Sequence, residues 1–131
     1  MTKTFAKLFG WIFIIVGVLG FISNPIVGAM GYFHANIAHN IVHIVLGLVL
    51  LMMSKSEEQA ALWLKIVGVV YLLVAILGFV MPMDAMGTTN LLGFISINGA
   101  DNWLHVVLGI VIFFCGFAGG KKAMPAGTQQ M

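Results

Sequence analysis

An all-α membrane fold, four transmembrane helices arranged as two tandem hairpins, is what this sequence predicts, on three observations. The 131 residues are 61% hydrophobic and only 8% charged, with a mean hydropathy of +1.09. That is too little charge to cover a soluble domain of this size. The apolar residues gather into four runs, about 5–22, 36–54, 60–81 and 98–120, each at or near the ~20 residues needed to cross a ~30 Å hydrocarbon core. Finally, one phrase occurs twice: NIAHNIVHIVLGLVL from Asn36 and NGADNWLHVVLGIVI from Asn98.

The first span follows Lys3 and Lys7. With Val27-Gly28-Ala29 beyond it, it imitates a leader peptide and its cleavage site. The repeat argues that it is retained, because residues 7–22 (KLFGWIFIIVGVLGFI) align with the internal span 65–80 (KIVGVVYLLVAILGFV) on a slide of 58 positions. The outer connection 23–35 carries Pro25, expected to stop the helix before it, and Gly28 and Gly31 for sharp turns. Its Ile26, Val27, Met30, Tyr32 and Phe33 suit an interfacial or partly re-entrant piece packed over the outer end of the bundle.

In the second span Asn36, His39, Asn40 and His43 recur at spacings of three and four and form one helical stripe. The apolar run beyond them, 44–53, covers only ~15 Å at 1.5 Å per residue, so the stripe lies within the outer part of the span. The link 54–59, with Lys55, Glu57 and Glu58, reads as a short solvated turn. The second outer connection, 82–97, again opens on a proline, Pro82, has Gly87 and Gly93, and is otherwise apolar at Leu91, Leu92, Phe94 and Ile95. The fourth span repeats the stripe as Asn98, Asp101, Asn102 and His105, on a slide of 62 positions. Gly17, Gly20, Gly47, Gly109 and Gly116 would let helices approach closely.

The chain is expected to be one domain, 1–131, with repeat one at about 5–54 and repeat two at about 60–120. Two spans per half insert both halves in the same orientation, so the halves should be parallel repeats about a pseudo-two-fold axis along the membrane normal. All six lysines (Lys3, Lys7, Lys55, Lys65, Lys121, Lys122) fall at the termini, the middle link and its flanks. The positive-inside rule then puts both termini in the cytoplasm, with Lys7 and Lys65 snorkelling to the inner interface. Arg is absent and the net charge is only +2, which argues against nucleic-acid binding. The lone Cys115 leaves no intramolecular disulfide.

Two readings of the repeated stripe are open. In the structural one, Asn36 and Asn98 are helix N-caps with His39 and Asp101 at the third helical position. His39 and Asp101 pair directly, and Asn40, His43, Asn102 and His105 hydrogen-bond across the two-fold axis, for ~0.6–2 kcal/mol per contact. In the ligand one, His39, His43, Asp101 and His105 hold a metal ion, or His43 and His105 ligate a b-type haem. Intramembrane ionisable groups also raise a third possibility, proton or solute passage through an oligomer. His34 and Asp84 read as interfacial, and the dispersed methionines as core filling. No nucleophile–base pair, nucleotide loop or H-E-x-x-H is present, so nothing in the sequence points to an enzyme.

The Asn-x-x-[His/Asp]-Asn-x-x-His stripe followed by Leu-Gly resembles a family of small bacterial four-helix membrane proteins, a domain of unknown function. The matching residues are Gly20-Phe21, Asn36, His39, Asn40, His43 and Gly47, then Gly78-Phe79, Asn98, Asp101-Asn102-Trp103-Leu104-His105 and Gly109. The resemblance implies a multi-pass protein of the bacterial inner membrane and transfers no activity. In helix count and size alone the chain is also similar to four-span small subunits of respiratory oxidoreductases. The expectation is a non-enzymatic membrane component with a structural His/Asn/Asp cluster. It sits in the lipid bilayer, needs no cofactor, and self-associates or docks into a larger membrane complex. A metal- or haem-binding redox protein is the alternative.

Overall fold

Four helices and two small strand pairs make up residues 1–119, the part of the chain that the computed structural model describes. Helix α1 runs Thr2–Leu19, α2 Ile37–Met53, α3 Glu57–Val80 and α4 Gly99–Cys115. Between α1 and α2 lie β1 (Val27–Gly28) and β2 (Phe33–His34). Between α3 and α4 lie β3 (Thr88–Leu91) and β4 (Ile95–Asn98). Helices α1 and α3 are long and apolar enough to cross a membrane; α2 and α4 are apolar and shorter, at 17 residues each. Lys121 and Lys122 lie outside the described residues.

Each helix pairs most closely with its chain neighbour, α1 with α2 and α3 with α4. Missing side chains make these contacts possible. A Cβ on Gly47 would lie 2.5 Å from the Gly10 carbonyl oxygen, and one on Gly109 would lie 3.1 Å from the Gly68 carbonyl oxygen. The glycine pairs let two backbones touch, which strengthens dispersion between the helices. The halves meet through Phe13 of α1 and Tyr71 of α3, whose rings stack at 5.3 Å, and through a core that includes Phe9, Leu50, Leu64, Val67 and Ile112.

The helix ends differ from expectation at two places. Pro25 does not end the first helix, which stops six residues earlier at Leu19. Asn24 does the local work instead. Its amide donates to the carbonyls of Leu19, Ile22 and Val27, and its Oδ1 accepts from the Ile26 and Val27 amides. Pro82 does follow directly on the α3 cap, Met81, whose extended backbone suits a residue before proline. At its other end α3 starts at Glu57, within the stretch expected to be a turn. Ser56 caps it, accepting from the Gln59 amide, and Glu57 and Glu58 favour the positive helix end. Thr2 Oγ1 donates to the Glu57 carbonyl and carboxylate, tying the starts of α1 and α3 together.

The two connections expected to be interfacial or partly re-entrant pieces contain short strands. Strands β3 and β4 form an antiparallel hairpin with Thr88 opposite Asn98 and Leu91 opposite Ile95. Its tip holds Leu92 at φ 54° and Gly93 at φ 84°, a left-handed pair that glycine tolerates and leucine rarely adopts. Strands β1 and β2 form a shorter parallel pair, Val27 with Phe33 and Gly28 with His34. These pairs, with the loop bonds around them, satisfy part of the backbone at this end within the protein.

Polarity runs from the inside out. Ile15, Leu73, Ile76 and Phe114 are each more than half exposed, whereas His39, Asn40, His43, Asp101, Asn102 and His105 are all buried.

Candidate functional site

Local capping fixes where the polar layer begins. Asn36 caps α2, its Oδ1 accepting from the His39 amide at 3.0 Å. Asn98 caps α4 more fully. It accepts from the Asp101 amide, while Asp101 Oδ2 accepts from the Asn98 amide, both at 3.0 Å. The cap side chains also reach across the halves. Asn36 Nδ2 donates to the Phe94 carbonyl at 2.9 Å and Asn98 Nδ2 donates to the Tyr32 carbonyl at 3.0 Å. Tyr32 and Phe94 are themselves 62 positions apart, so each cap makes the same bond to the other half.

The single stripe expected from spacing divides into two directions, because neighbouring helix positions differ by about 100° in azimuth. Asn40 and Asn102 turn toward their own hairpin partners. Asn40 Oδ1 lies against Gly20, and Asn102 Oδ1 against Gly78, each where a glycine Cβ would sit. Neither Asn40 Oδ1 nor either polar atom of the Asn102 side chain has a hydrogen-bond partner. The asparagines therefore do not bond across the halves; they pack on glycine Cα atoms, where only weak Cα–H···O contacts are available.

His39, His43 and His105 turn inward and meet. One nitrogen from each lies within 4.8 Å of the other two, and all three residues are buried. The His39 and His43 rings stack at 4.8 Å, and the His39 and His105 rings lie 6.0 Å apart. His39 Nδ1 sits 2.8 Å from the Ser96 carbonyl oxygen. A carbonyl only accepts, so Nδ1 carries the proton and, in the neutral ring, Nε2 bears a free lone pair. Tyr71 Oη and His43 Nδ1 share a hydrogen bond of 3.2 Å, and the Tyr71 ring stands edge-on to His105 at 4.9 Å. Among the described residues His105 Nδ1 is buried with no partner.

Among the described residues His39 and Asp101 are not paired with each other. Each satisfies a backbone group at the outer end, Ser96 for one and Asn98 for the other. Asp101 lies outside the three-imidazole group yet lines the same cavity. His34 is on β2, half-buried, and Asp84 is exposed in the second outer connection. Tyr71 has a place in the site that the sequence reading did not give it. The signal was there: the repeat sets Tyr71 opposite Phe13, so one half has a hydroxyl the other lacks.

A partly open cavity of ≈ 180 Å³ borders the histidines. Ile12, Val16 and Leu19 of α1 and Leu104 and Leu108 of α4 form its apolar walls, with Ala35 above and Phe13, His39, His43, Asp101 and His105 at its inner end. An apolar cavity of about 150 Å³ holds one benzene or a xenon atom. This one therefore takes about one ring, and the four-pyrrole macrocycle of a haem does not fit. The arrangement offers imidazole lone pairs and hydrogen-bond partners at the end of an apolar slot.

No curated protein and no solved structure matches the chain. The Asn and His stripes, the glycines they pack against and the helices that carry them all fall within residues 3–118, which match the family model for domain of unknown function DUF4383, and the chain belongs to that family.

Proposed function

We propose that this chain is a four-span integral protein of the bacterial inner membrane, a non-enzymatic component that holds a ligand in a histidine-ended cavity near its outer face. One observation carries the reading: apolar side chains cover the outside while three histidines, two asparagines and an aspartate are buried inside beside the apolar core. In water that distribution would leave most of the apolar surface unburied; in lipid it is the favourable one, and ionisable groups then face the bundle interior. At 17 residues, α2 and α4 reach ~25 Å, so strand pairs that satisfy their own backbone would complete the outer end.

The two halves are parallel repeats about an axis along the membrane normal. Matched contacts support this: Gly10 on Gly47 with Gly68 on Gly109, Gly20 on Asn40 with Gly78 on Asn102, and the reciprocal cap bonds. In this reading the Asn layers are structural and the histidines are functional. What separates them is placement: three imidazole nitrogens gather within 4.8 Å of one another beside a cavity, whereas the Asn side chains pack on glycines.

Single cysteines in a Cys115→Ser background test the placement with a membrane-impermeant maleimide on intact cells. Met30→Cys and Met86→Cys, at highly exposed outer positions, should label and Lys55→Cys should not. The opposite pattern, or release of the protein by alkaline carbonate without detergent, would overturn the membrane reading. Crystals pressurised with xenon test the cavity: an atom beside His39 and His105 is expected, and its absence would remove the binding role.

A further inference from the structure

We propose that His39, His43 and His105 form a three-imidazole site for a zinc-type divalent transition-metal ion, with the fourth coordination position facing the apolar cavity. The proposal rests on the reading of the cavity as a ligand site and is independent of where the membrane lies.

Distance comes first. An equilateral triangle of side 4.8 Å, the limit on the separation of the three ligand atoms, has its centre 4.8/√3, about 2.8 Å, from each corner. Zinc–imidazole bonds are about 2.0–2.1 Å. Each nitrogen must therefore move inward by at most about 0.7 Å, within reach of small χ rotations. The ligands come from two helices, two of them spaced i,i+4 on α2, so the backbone already holds them on one side.

Proton placement is the second argument. A metal-binding imidazole usually donates its other N–H to a carbonyl or similar acceptor, which fixes the tautomer and the ring. His39 does so toward Ser96. His43 has its outer nitrogen on the Tyr71 hydroxyl, which becomes the acceptor once His43 Nε2 turns to the metal. Tyr71 is thus a positioning residue. His105 supplies a third, independent observation, an unpartnered Nδ1 on a residue only 4% exposed. Leaving such an atom unpaired is costly, and a metal ion relieves that cost by taking its lone pair.

Ligand chemistry selects the ion. Imidazole suits zinc, copper, iron and nickel, whereas calcium and magnesium need oxygen donors. Three histidines with one position left open is a known catalytic-type zinc coordination, in contrast to the closed four-ligand structural type. Asp101 lines the same cavity without being one of the three ligands.

The test uses the full chain purified in detergent, stripped with a chelator and titrated with Co²⁺, whose visible d–d bands report coordination. One Co²⁺ per chain is expected, displaced by Zn²⁺. His39→Ala and His105→Ala should each weaken binding at least 100-fold, and His34→Ala should leave it unchanged. Tyr71→Phe should weaken it about 10- to 100-fold, the usual effect of losing an outer-shell partner. If His105→Ala does not fold, His105→Gln keeps the volume and carries the same expectation. No stoichiometric binding, or binding that survives loss of His105, would overturn the site. A xenon atom found in the cavity together with no Co²⁺ would remove the metal and leave the cavity reading standing; loss of both would remove both.

Discussion

Replacing Gly78 by alanine tests the Gly–Asn packing that repeats in the two halves. The new methyl would overlap Asn102 Oδ1, come within 2.7 Å of Asn102 Cγ and lie 3.0 Å from Cδ1 of Ile97. Neither neighbour has room to retreat, since Asn102 and Ile97 are both 0% exposed. Overpacking a filled site costs about 1–3 kcal/mol, and with both neighbours fixed the upper end is expected. About 3 kcal/mol is roughly a 100-fold loss in the folding equilibrium. Removing the opposing side chain should relieve it. Asn102→Ala alone should cost about 1–2 kcal/mol through lost packing, and the double variant should fall short of the sum by at least about 1 kcal/mol, as expected for residues in contact. Equilibrium unfolding in mixed SDS micelles, followed by circular dichroism, measures all four proteins of the cycle. Gly99→Ala is the control, because a Cβ there meets nothing within 4 Å. Additive single effects, or a Gly78→Ala variant as stable as the parent, would refute the packing argument.

Three further outcomes follow from the structure. Asn36→Ala should destabilise more than Asn98→Ala within the usual 0.5–2 kcal/mol for a lost cap, because the Asn36 side chain makes three hydrogen bonds, to the His39 and Ser96 amides and the Phe94 carbonyl, and the Asn98 side chain two, the Asp101 bond to the Asn98 amide surviving the change; equal losses in the same unfolding assay would contradict this. Asp84 is held below the usual carboxylate range by backbone and side-chain hydrogen bonds from Thr88. Its lowered folded value means the anchor is fully present above the unfolded pKa of about 3.9 and is lost only as pH falls through the lower folded one. The Thr88 amide shift in NMR should show that midpoint, and a midpoint at or above 3.9 would refute the bonds. Ala35→Ile places at the cavity the residue type that its repeat mate, Ile97, already buries. It should stabilise by about 0.5–2 kcal/mol, as cavity filling does, and abolish the xenon site; persistence of the xenon would place the cavity elsewhere.

The parts of the fold written in periodic signals were legible in the sequence. Apolar runs mark four helices, and the slides of 58 and 62 positions bring Gly10 into register with Gly68 and His43 with His105. The caps were legible because Asn followed by an apolar run is a local signal, complete within four residues. The strands were not, because β3 and β4 are only four residues each, too short for a period-two pattern to stand out. Only the Leu92–Gly93 turn distinguishes them, and Leu92 is an improbable residue for it. Spacing told which residues share a helix face to within a turn. It did not separate Asn40 from His39, although one azimuthal step sends one to Gly20 and the other to the histidine group. Tyr71 was hidden for a different reason: within an apolar run a tyrosine looks like another aromatic, and only a fold that brings α3 beside α2 gives its hydroxyl a partner.

The reciprocal cap bonds, Asn36 to Phe94 and Asn98 to Tyr32, have a consequence in time. During synthesis the first hairpin is complete some forty residues before Phe94 emerges, so its outer end must wait with an unmet amide. The acceptor on Tyr32 likewise waits for Asn98. The two bonds thus act as a latch that closes only when the second hairpin arrives, and that does not distinguish which molecule the arriving hairpin belongs to.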